Sequence, residues 1–109
     1  MFFVGIDIAK RKHDAVVIDN NGTVIQKAFS FSNSLEGYNK LISIIKKITS
    51  DKTDIVFAME STSHYWLALY SKLIKDGYLV HVINPIQSNA LRGLFIRQAK
   101  TDPIDALII

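Results

Sequence analysis

Two carboxylates near the C-terminus have a spacing that brings side chains to one face of a helix. Asp102 and Asp105 stand three residues apart in KTDPIDALII (100–109), and residues at i and i+3 are neighbours on a helix surface. Pro103 suits a first helical turn, because the N–H that proline lacks has no helical partner there. The pair therefore predicts either a capped helix start, with both acids near the positive end of the dipole, or part of a metal site with oxygen ligands.

Two more carboxylates lie in apolar runs that are predicted to be strands. Asp7 lies in FFVGIDIA (2–9), and Glu60 ends DIVFAME (54–60). If these strands are parallel neighbours, both acids meet at the edge of the sheet where ligands usually bind. Clustered carboxylates repel one another unless cations lie between them. Oxygen ligands suit Mg²⁺ or Mn²⁺, and a pair of such ions can promote phosphodiester cleavage.

A structural role is open for each of these acids. Glu60 can be a surface residue just past its strand. Asp7 stands within the most apolar strand of the chain, so we expect it to be buried. An unpaired buried charge costs several kcal/mol. Asp7 therefore needs either a metal ion or a lysine or arginine partner.

The elements that must position these acids follow from hydrophobic periodicity and turn residues. Asp19–Gly22 contains an Asn-Gly pair between apolar runs and predicts a hairpin, with Ile25, Phe29 and Phe31 on one face of its second strand. The chain has the order β-β-β-α-β-α-β-α. The predicted strands cover 2–9, 13–19, 23–31, 54–60 and 78–83. The three helices of this order are at 33–48, at 61–77 and from 102, and residues 86–98 are expected to be wholly or partly helical as well.

The two central helices have recognisable boundaries. Asn33 and Glu36 have capping-box spacing, and a serine or threonine among residues 61–63 is expected to cap the second helix. Gly77 is its predicted stop. The apolar stripes predicted to pack on the sheet are Leu35, Tyr38, Leu41, Ile42, Ile45 and Ile48 in the first helix, and Leu67, Tyr70, Leu73 and Ile74 in the second.

This order predicts a ribonuclease H-like α/β fold. Three antiparallel strands followed by two strand-helix-strand crossovers give a mixed five-stranded sheet of order 3-2-1-4-5, with helices on both faces. The 109 residues suffice for one core. The first and fourth strands then lie side by side in the middle of the sheet, where Asp7 and Glu60 would meet.

The composition restricts the classes of protein. There is no cysteine, which excludes disulfides, thiolate metal sites and a cysteine nucleophile. No apolar run is long enough to cross a membrane, so we expect a cytoplasmic protein. The net charge of +3 and pI of about 9.2 are compatible with nucleic acid as a partner.

Basic and aromatic residues flank the acids along the chain. The stretch Lys10–His13 follows the first strand and could contact phosphates, although such runs are commonly solvated turns. His64, Tyr65 and Trp66 could stack on bases, but we favour a core position for Trp66. The candidate nucleic-acid contacts are Lys10, Arg11, Lys12, Arg92, Arg97 and Lys100.

Three motifs together resemble one family. GIDIAK with Asp7, AMESTSHYW with Glu60, and KTDPIDA with Asp102 and Asp105 resemble the DEDD-type transposases of insertion-sequence family 110, relatives of the Piv-type DNA invertases. The N-terminal domain of that family is similar to the Holliday-junction resolvase RuvC. The resemblance covers essentially the whole chain.

The resemblance implies a DNA transposase or site-specific recombinase. Asp7, Glu60, Asp102 and Asp105 would be its metal-binding catalytic tetrad, with Mg²⁺ or Mn²⁺ used for DNA strand cleavage and exchange. Its partners would be the ends of the element and the target DNA, a structured non-coding guide RNA, and further copies of the chain. Its setting would be the bacterial or archaeal cytoplasm.

The resemblance also implies that residues 1–109 are an N-terminal catalytic domain. The family has a further C-terminal domain with a nucleophilic serine, and no serine of this chain takes that role. We therefore expect the isolated piece to be inactive. We also expect a frayed C-terminus, where exposed residues 107–109 could promote a dimer.

Two rival classes share parts of the pattern. An actin- or sugar-kinase-like nucleotide-binding half-domain has the same element order, but its phosphate loop needs small residues where this chain has Lys10–Lys12. A non-catalytic dimerisation or nucleic-acid-binding module would use the acids only as caps and ion pairs. Nucleotide binding without DNA would favour the first class, and indifference to divalent metal would favour the second.

Overall fold

The described part of the protein is a mixed five-stranded sheet with two helices. A computed structural model describes residues 1–61 and 64–83. The strands are β1 (Phe2–Asp7), β2 (Lys12–Asp19), β3 (Val24–Ser32), β4 (Ile55–Glu60) and β5 (Leu79–Ile83), and the helices are α1 (Leu35–Ile48) and α2 (Leu67–Lys75). A short 3-10 turn, Lys52–Asp54, precedes β4.

The sheet has the predicted strand order β3-β2-β1-β4-β5. β2 is antiparallel to β1 and to β3, whereas β4 is parallel to β1 and to β5. The chain therefore makes two hairpins and then two crossovers through helices, as the order of elements requires. The ribonuclease H-like fold class is confirmed. The helix predicted at 86–98 and the one from Asp102 lie outside the described residues.

The core lies between the sheet and both described helices. Val4, Ile6, Phe57 and Met59 are fully buried on this side of the sheet. The helices contribute the buried residues of the same cluster, namely Tyr38, Leu41, Ile45, Leu69 and Leu73. Alternate residues of a strand point to opposite faces. Asp7 and Glu60, each one residue beyond a core residue, therefore belong to the opposite face.

The two helices also contact each other through Tyr38. Its hydroxyl donates to the backbone oxygen of Lys72 at 3.3 Å and to the carboxylate of Asp76. Burial and the neighbouring Asp76 raise the pKa of Tyr38, so the phenol remains a proton donor at neutral pH. This link fixes the start of α1 against the end of α2.

The hairpin between β2 and β3 has the predicted turn, but one face assignment is wrong. Asp19 Oδ1 accepts from the backbone N–H of Asn21 at 2.9 Å and of Thr23 at 3.0 Å, and Gly22 has a positive φ of 80°. The register of β2 and β3 shifts between Ala15 and Ile18. A bulge of this kind turns the side chains beyond it to the other face. Ile25 is consequently 43% exposed and does not share the buried side of Phe31.

The start of α1 differs from the prediction by one residue. Ser34 is the N-cap, and its hydroxyl accepts from the N–H of Gly37 at 3.1 Å. Asn33 does not cap the helix, because its side-chain amide bonds to Lys10 in the loop after β1. Leu35 is 61% exposed and lies outside the apolar stripe.

The start of α2 was predicted too early. The N–H of Ser61 donates to Ile83 O at 3.0 Å and so continues the pairing of β4 with β5. α2 begins at Leu67 with Trp66 in the cap position, and no side chain caps it. Trp66 itself packs against the core, as expected. Gly77, with φ of 88°, ends the helix region as predicted.

The apolar stripe of α2 is rotated from the prediction. Leu69 and Leu73 are the buried residues of this helix. Leu67 and Ile74, which were predicted to pack on the sheet, are 44% and 45% exposed. Among the described helices, none is long and apolar enough to span a membrane.

Candidate functional site

Two of the predicted acids meet at the carboxyl edge of the central strands. Asp7 is the last residue of β1 and Glu60 the last of β4. The preceding residues, Ile6 and Met59, are paired in the parallel ladder. Adjacent strands lie about 4.8 Å apart. Asp7 and Glu60 are therefore neighbours at one edge, on the face opposite the two helices.

The burial expected for Asp7 is wrong. It lies at the end of its strand instead of in the interior, and it is exposed, whereas Glu60 is half-buried. Because water reaches this carboxylate, the energetic argument that burial demands a metal or a cationic partner does not apply. What remains is the position itself, at an edge that solvent, ions and substrate can reach.

A third carboxylate stands beside this pair and was missed from the sequence. Asp14 of β2 is the cross-strand partner of Asp7. It is half-buried and accepts a hydrogen bond from the Ser30 hydroxyl of β3. Asp14, Val16 and Ile18 occupy alternate positions of β2 and therefore share one face of the strand. Only the register of the β1–β2 hairpin places Asp14 opposite Asp7.

These acids do not complete a metal centre by themselves. Within residues 1–61 and 64–83, no group of three or more histidine, cysteine, aspartate or glutamate side chains is arranged to hold a metal ion. The other two predicted ligands, Asp102 and Asp105, lie outside the described residues, as do Arg92, Arg97 and Lys100. The carboxylate oxygens of Asp7 and Glu60 are nevertheless of the chemical type that Mg²⁺ and Mn²⁺ prefer.

A basic loop adjoins the acids. Lys10, Arg11 and Lys12 are all exposed and connect β1 to β2. Asn33 holds this loop from the other side of the sheet. Its backbone N–H donates to Arg11 O at 2.8 Å, and its side-chain amide donates to Lys10 O at 3.1 Å. The loop is thus fixed by its backbone, while its charged side chains face solvent.

His13 is a core residue and not part of the basic surface. It is only 1% exposed, and its ring packs edge-on against Phe31 with 5.4 Å between centroids. Nδ1 accepts from the N–H of Ala9 at 3.1 Å, whereas Nε2 has no hydrogen-bond partner in the described part of the chain. Burial lowers the pKa of His13, although Asn33 and the charge of Asp14 oppose this. A neutral, buried imidazole cannot bind phosphate, so its grouping with Lys10–Lys12 was wrong.

The fold is that of the Holliday-junction resolvases. The chain is similar to the RuvC structure from Thermus thermophilus, with a TM-score of 0.61 and 18% identity over all of this chain and 90% of that one. It is equally similar to the same resolvase in complex with a Holliday junction, at a TM-score of 0.61 and 16% identity. The fowlpox virus resolvase gives 0.52 and 15%, covering 90% of this chain and 75% of that one. At such identities the likeness defines the fold alone.

The sequence defines the family. Residues 4–109 match the family model of the DEDD transposases of IS110 type, described as Transposase. The chain belongs to this family, and the nucleotide-binding half-domain is not retained as an alternative.

Relatives from two genera match almost the whole chain. A Streptomyces coelicolor protein named as a transposase for the IS117 mini-circle is 36% identical over 109 residues, covering 98% of this chain and 25% of its own length. The pilin gene-inverting protein of Moraxella lacunata is 28% identical over 107 residues, covering 98% and 32%. The chain thus spans between a quarter and a third of the length of these relatives.

Proposed function

We propose that this chain belongs to a DNA transposase or site-specific recombinase, and that the edge of its sheet at the ends of β1 and β4 binds divalent metal ions. In this proposal Asp7 and Glu60 bind Mg²⁺ or Mn²⁺ together with Asp102 and Asp105. The observation that supports it most is the parallel pairing of β1 with β4, because it makes the first two acids neighbours at an open edge of the sheet. Family membership supports the reaction class.

The donor set fits the proposed metals. Carboxylate oxygens suit the hard cations Mg²⁺ and Mn²⁺. When bound, such ions activate a water or hydroxyl group and stabilise the leaving oxygen of a phosphodiester. The chain's own part is to present Asp7 and Glu60 from adjacent strands whose spacing is fixed by the sheet.

DNA is the proposed substrate. Lys10, Arg11 and Lys12 are proposed to contact phosphates near the acids, and Arg92, Arg97 and Lys100 to do so on the approach to Asp102. Binding by such residues releases counterions and depends steeply on salt. The exposed, backbone-fixed loop after β1 supports this assignment.

The wider assembly is also part of the proposal. The chain covers 25% and 32% of the length of two relatives. We therefore propose that residues 1–109 are the catalytic domain of a larger enzyme. A structured RNA partner and association into oligomers enter through the family resemblance. The phosphates of RNA would bind to the same lysine and arginine side chains as the phosphates of DNA.

Thermal unfolding with added metal tests the site. Mn²⁺ should raise the melting temperature of the protein, because a ligand that binds only the folded state stabilises it. The rise should disappear in Asp7→Asn. Asp54→Asn is the matched control, since Asp54 is near the opposite end of β4 and forms an ion pair with the Met1 amine at 3.1 Å. An equal rise in wild type and Asp7→Asn would refute the proposed metal site.

A second candidate function is a nucleic-acid-binding or dimerisation module without catalysis. It is favoured by the lack of a complete metal-binding group among residues 1–61 and 64–83. In that case Mn²⁺ would leave the melting temperature of wild type unchanged, while DNA binding would persist. The same titration therefore separates the two functions.

A further inference from the structure

An open groove runs along the side of the sheet next to the basic loop. It lies between the end of β3, the start of β2 and the first turns of α1, and we call it the β3–α1 groove. Its polar lining residues are Arg11, Lys12, Ser30, Ser32, Glu36 and Lys40, and Phe31 and Gly37 complete the lining. Three of these side chains are cationic and exposed, and one is acidic. The groove therefore favours a polyanion over a neutral or cationic ligand.

Lys40 contributes a charge that is held in place. Its Nζ donates to the backbone oxygen of Ser30 at 2.6 Å, so the side chain reaches from α1 to the end of β3. A carbonyl oxygen does not neutralise an ammonium group, and Nζ keeps two further N–H donors. Lys40 can thus bind an anionic oxygen without giving up its contact with the sheet.

The groove leads directly to the proposed metal edge. Lys12 pairs with Ser32, Asp14 pairs with Ser30, and Asp14 also pairs with Asp7 across the next strand interval. These side chains share the face opposite the helices, since they alternate with core residues. From β3 to β1 the distance is two strand spacings, or about 10 Å. A bound strand would therefore pass from Lys40, around the edge strand β3, towards Asp7.

Asn33 fixes the wall of the groove that carries Arg11. It donates to the backbone oxygens of both Lys10 and Arg11, and it directly precedes Ser34, the N-cap of α1. The loop and the helix that bears Lys40 are thereby held in register. The backbone that carries these cations therefore loses little conformational freedom when they bind a ligand.

We propose that the β3–α1 groove binds the sugar-phosphate backbone of a DNA strand whose reacting phosphate lies at Asp7 and Glu60. Lys40 is a phosphate contact in addition to Arg11 and Lys12, and Asn33 is a positioning residue whose side-chain amide acts through Lys10. This inference rests on DNA being the substrate. It does not depend on metal binding, so the two can fail separately.

Removing the charge of Lys40 tests the groove. The measurement is the Kd of a fluorescein-labelled DNA duplex, by anisotropy, over a series of NaCl concentrations in EDTA. Lys40→Gln keeps a donor for Ser30 O, so folding should be retained. We expect it to weaken binding several-fold and to reduce the slope of log Kd against log salt by about 0.9. Lys40→Arg should restore both values.

Lys46→Gln is the matched control, because Lys46 is an exposed lysine in the last turn of the same helix. It should have a smaller effect on both the affinity and the slope. Equal effects of Lys40→Gln and Lys46→Gln would overturn the groove as a binding site. If Asp7→Asn abolishes the Mn²⁺ effect while Lys40→Gln binds DNA like wild type, the metal site stands and the groove is refuted.

A double-mutant cycle tests the role of Asn33. Asn33→Ala keeps the backbone bond to Arg11 O and removes only the side-chain bond to Lys10 O. It should weaken DNA binding in the wild-type background but have little further effect when Lys10→Ala is already present, because its side chain acts through Lys10. Asn39→Ala, an exposed asparagine of α1, is the control. Additive losses from Asn33→Ala and Lys10→Ala would refute the positioning role, whatever their effect on melting temperature.

Discussion

The two faces of the sheet are built on different principles. On the face with α1 and α2, core residues such as Val4, Ile6, Phe57 and Met59 are completely buried. At the carboxyl edge of the other face, Asp7 is exposed and Glu60 half-buried. The same two strands supply both sets by simple alternation. Core residues and residues of the proposed site are thus adjacent in sequence. Substitutions in the core should lower the free energy of unfolding, whereas substitutions at the proposed site should lower activity.

The largest effect should come from an acid at the edge. Asp7→Asn preserves the shape of the side chain but removes the charge that is proposed to bind metal. If the proposed function holds, metal-dependent DNA cleavage by the full-length protein should fall about a thousand-fold. The change should leave the urea unfolding midpoint nearly unchanged. Cleavage rates measured with Mg²⁺, with Asp54→Asn as control, check this. A large loss of stability in Asp7→Asn would contradict the separation of the two faces.

The core face should show the reverse behaviour. Phe57 is fully buried and packs edge-on against Tyr78, with 5.2 Å between ring centroids. Phe57→Ala should lower the free energy of unfolding by about 3–5 kcal/mol. Phe3→Ala is the control, because Phe3 lies on the other face and is 38% exposed. Urea unfolding compares the two, and similar losses would show that both faces are equally important for stability.

The junction of β3 with α1 should be intolerant of even one methyl group. A Cβ on Gly37 would come within 1.7 Å of the backbone oxygen of Ser32, so Gly37→Ala must displace the helix or the strand. Overpacking of this kind costs about 1–3 kcal/mol. Ser43→Ala, at an exposed position of α1, should be neutral. Unfolding free energies that match for both variants would show that the junction relaxes without cost.

The smallest effect should be a change in pH dependence. Burial lowers the pKa of His13 in the folded state from the ordinary value of 6.5. Below pH 6.5 the unfolded chain binds more protons than the folded chain. The free energy of unfolding therefore falls as the pH decreases through 6.5 towards the folded-state pKa of His13. Above pH 6.5 the contribution of the neutral imidazole to stability is fully present. The variant His13→Gln should lack the loss of folding stability that protonation of His13 causes at low pH.

The control for that measurement is His81→Gln, because His81 is exposed on β5. Unfolding midpoints in urea between about pH 8 and pH 5 give the comparison. His81→Gln should keep the slope of wild type. A slope in His13→Gln as steep as in wild type would show that protonation of this core imidazole does not limit stability.

The fold could be predicted because its signals are local. The Asn-Gly turn at Asp19–Gly22, the glycine stop at Gly77 and the alternation of strand residues each depend on a few adjacent positions. Their combination leaves little choice of topology. The strand that contains Ile25 was placed correctly, but its face was not, because a bulge depends on the partner strand and not on the strand's own sequence.

The site was less accessible to prediction, since it depends on contacts between distant segments. Asp7 was expected to be buried because its neighbours in sequence are apolar, yet it falls just past the last core position. Asp14 was missed because its relation to Asp7 appears only in the hairpin register. Asn33 has the spacing of a cap, but a tertiary bond to the loop after β1 takes its side chain, and Ser34 caps the helix instead.

The parallel pairing of β1 with β4 has a consequence for the order in which the domain folds during synthesis. Antiparallel neighbours such as β1 and β2 can associate as soon as both have left the ribosome, whereas β4 follows β2, β3 and α1 in the chain. Contacts between such distant segments form late, because a long loop must close first. Asp7 and Glu60 therefore become neighbours only after most of the described domain has been synthesised. The proposed metal site would accordingly be absent from a nascent chain in which Glu60 has not yet left the ribosome.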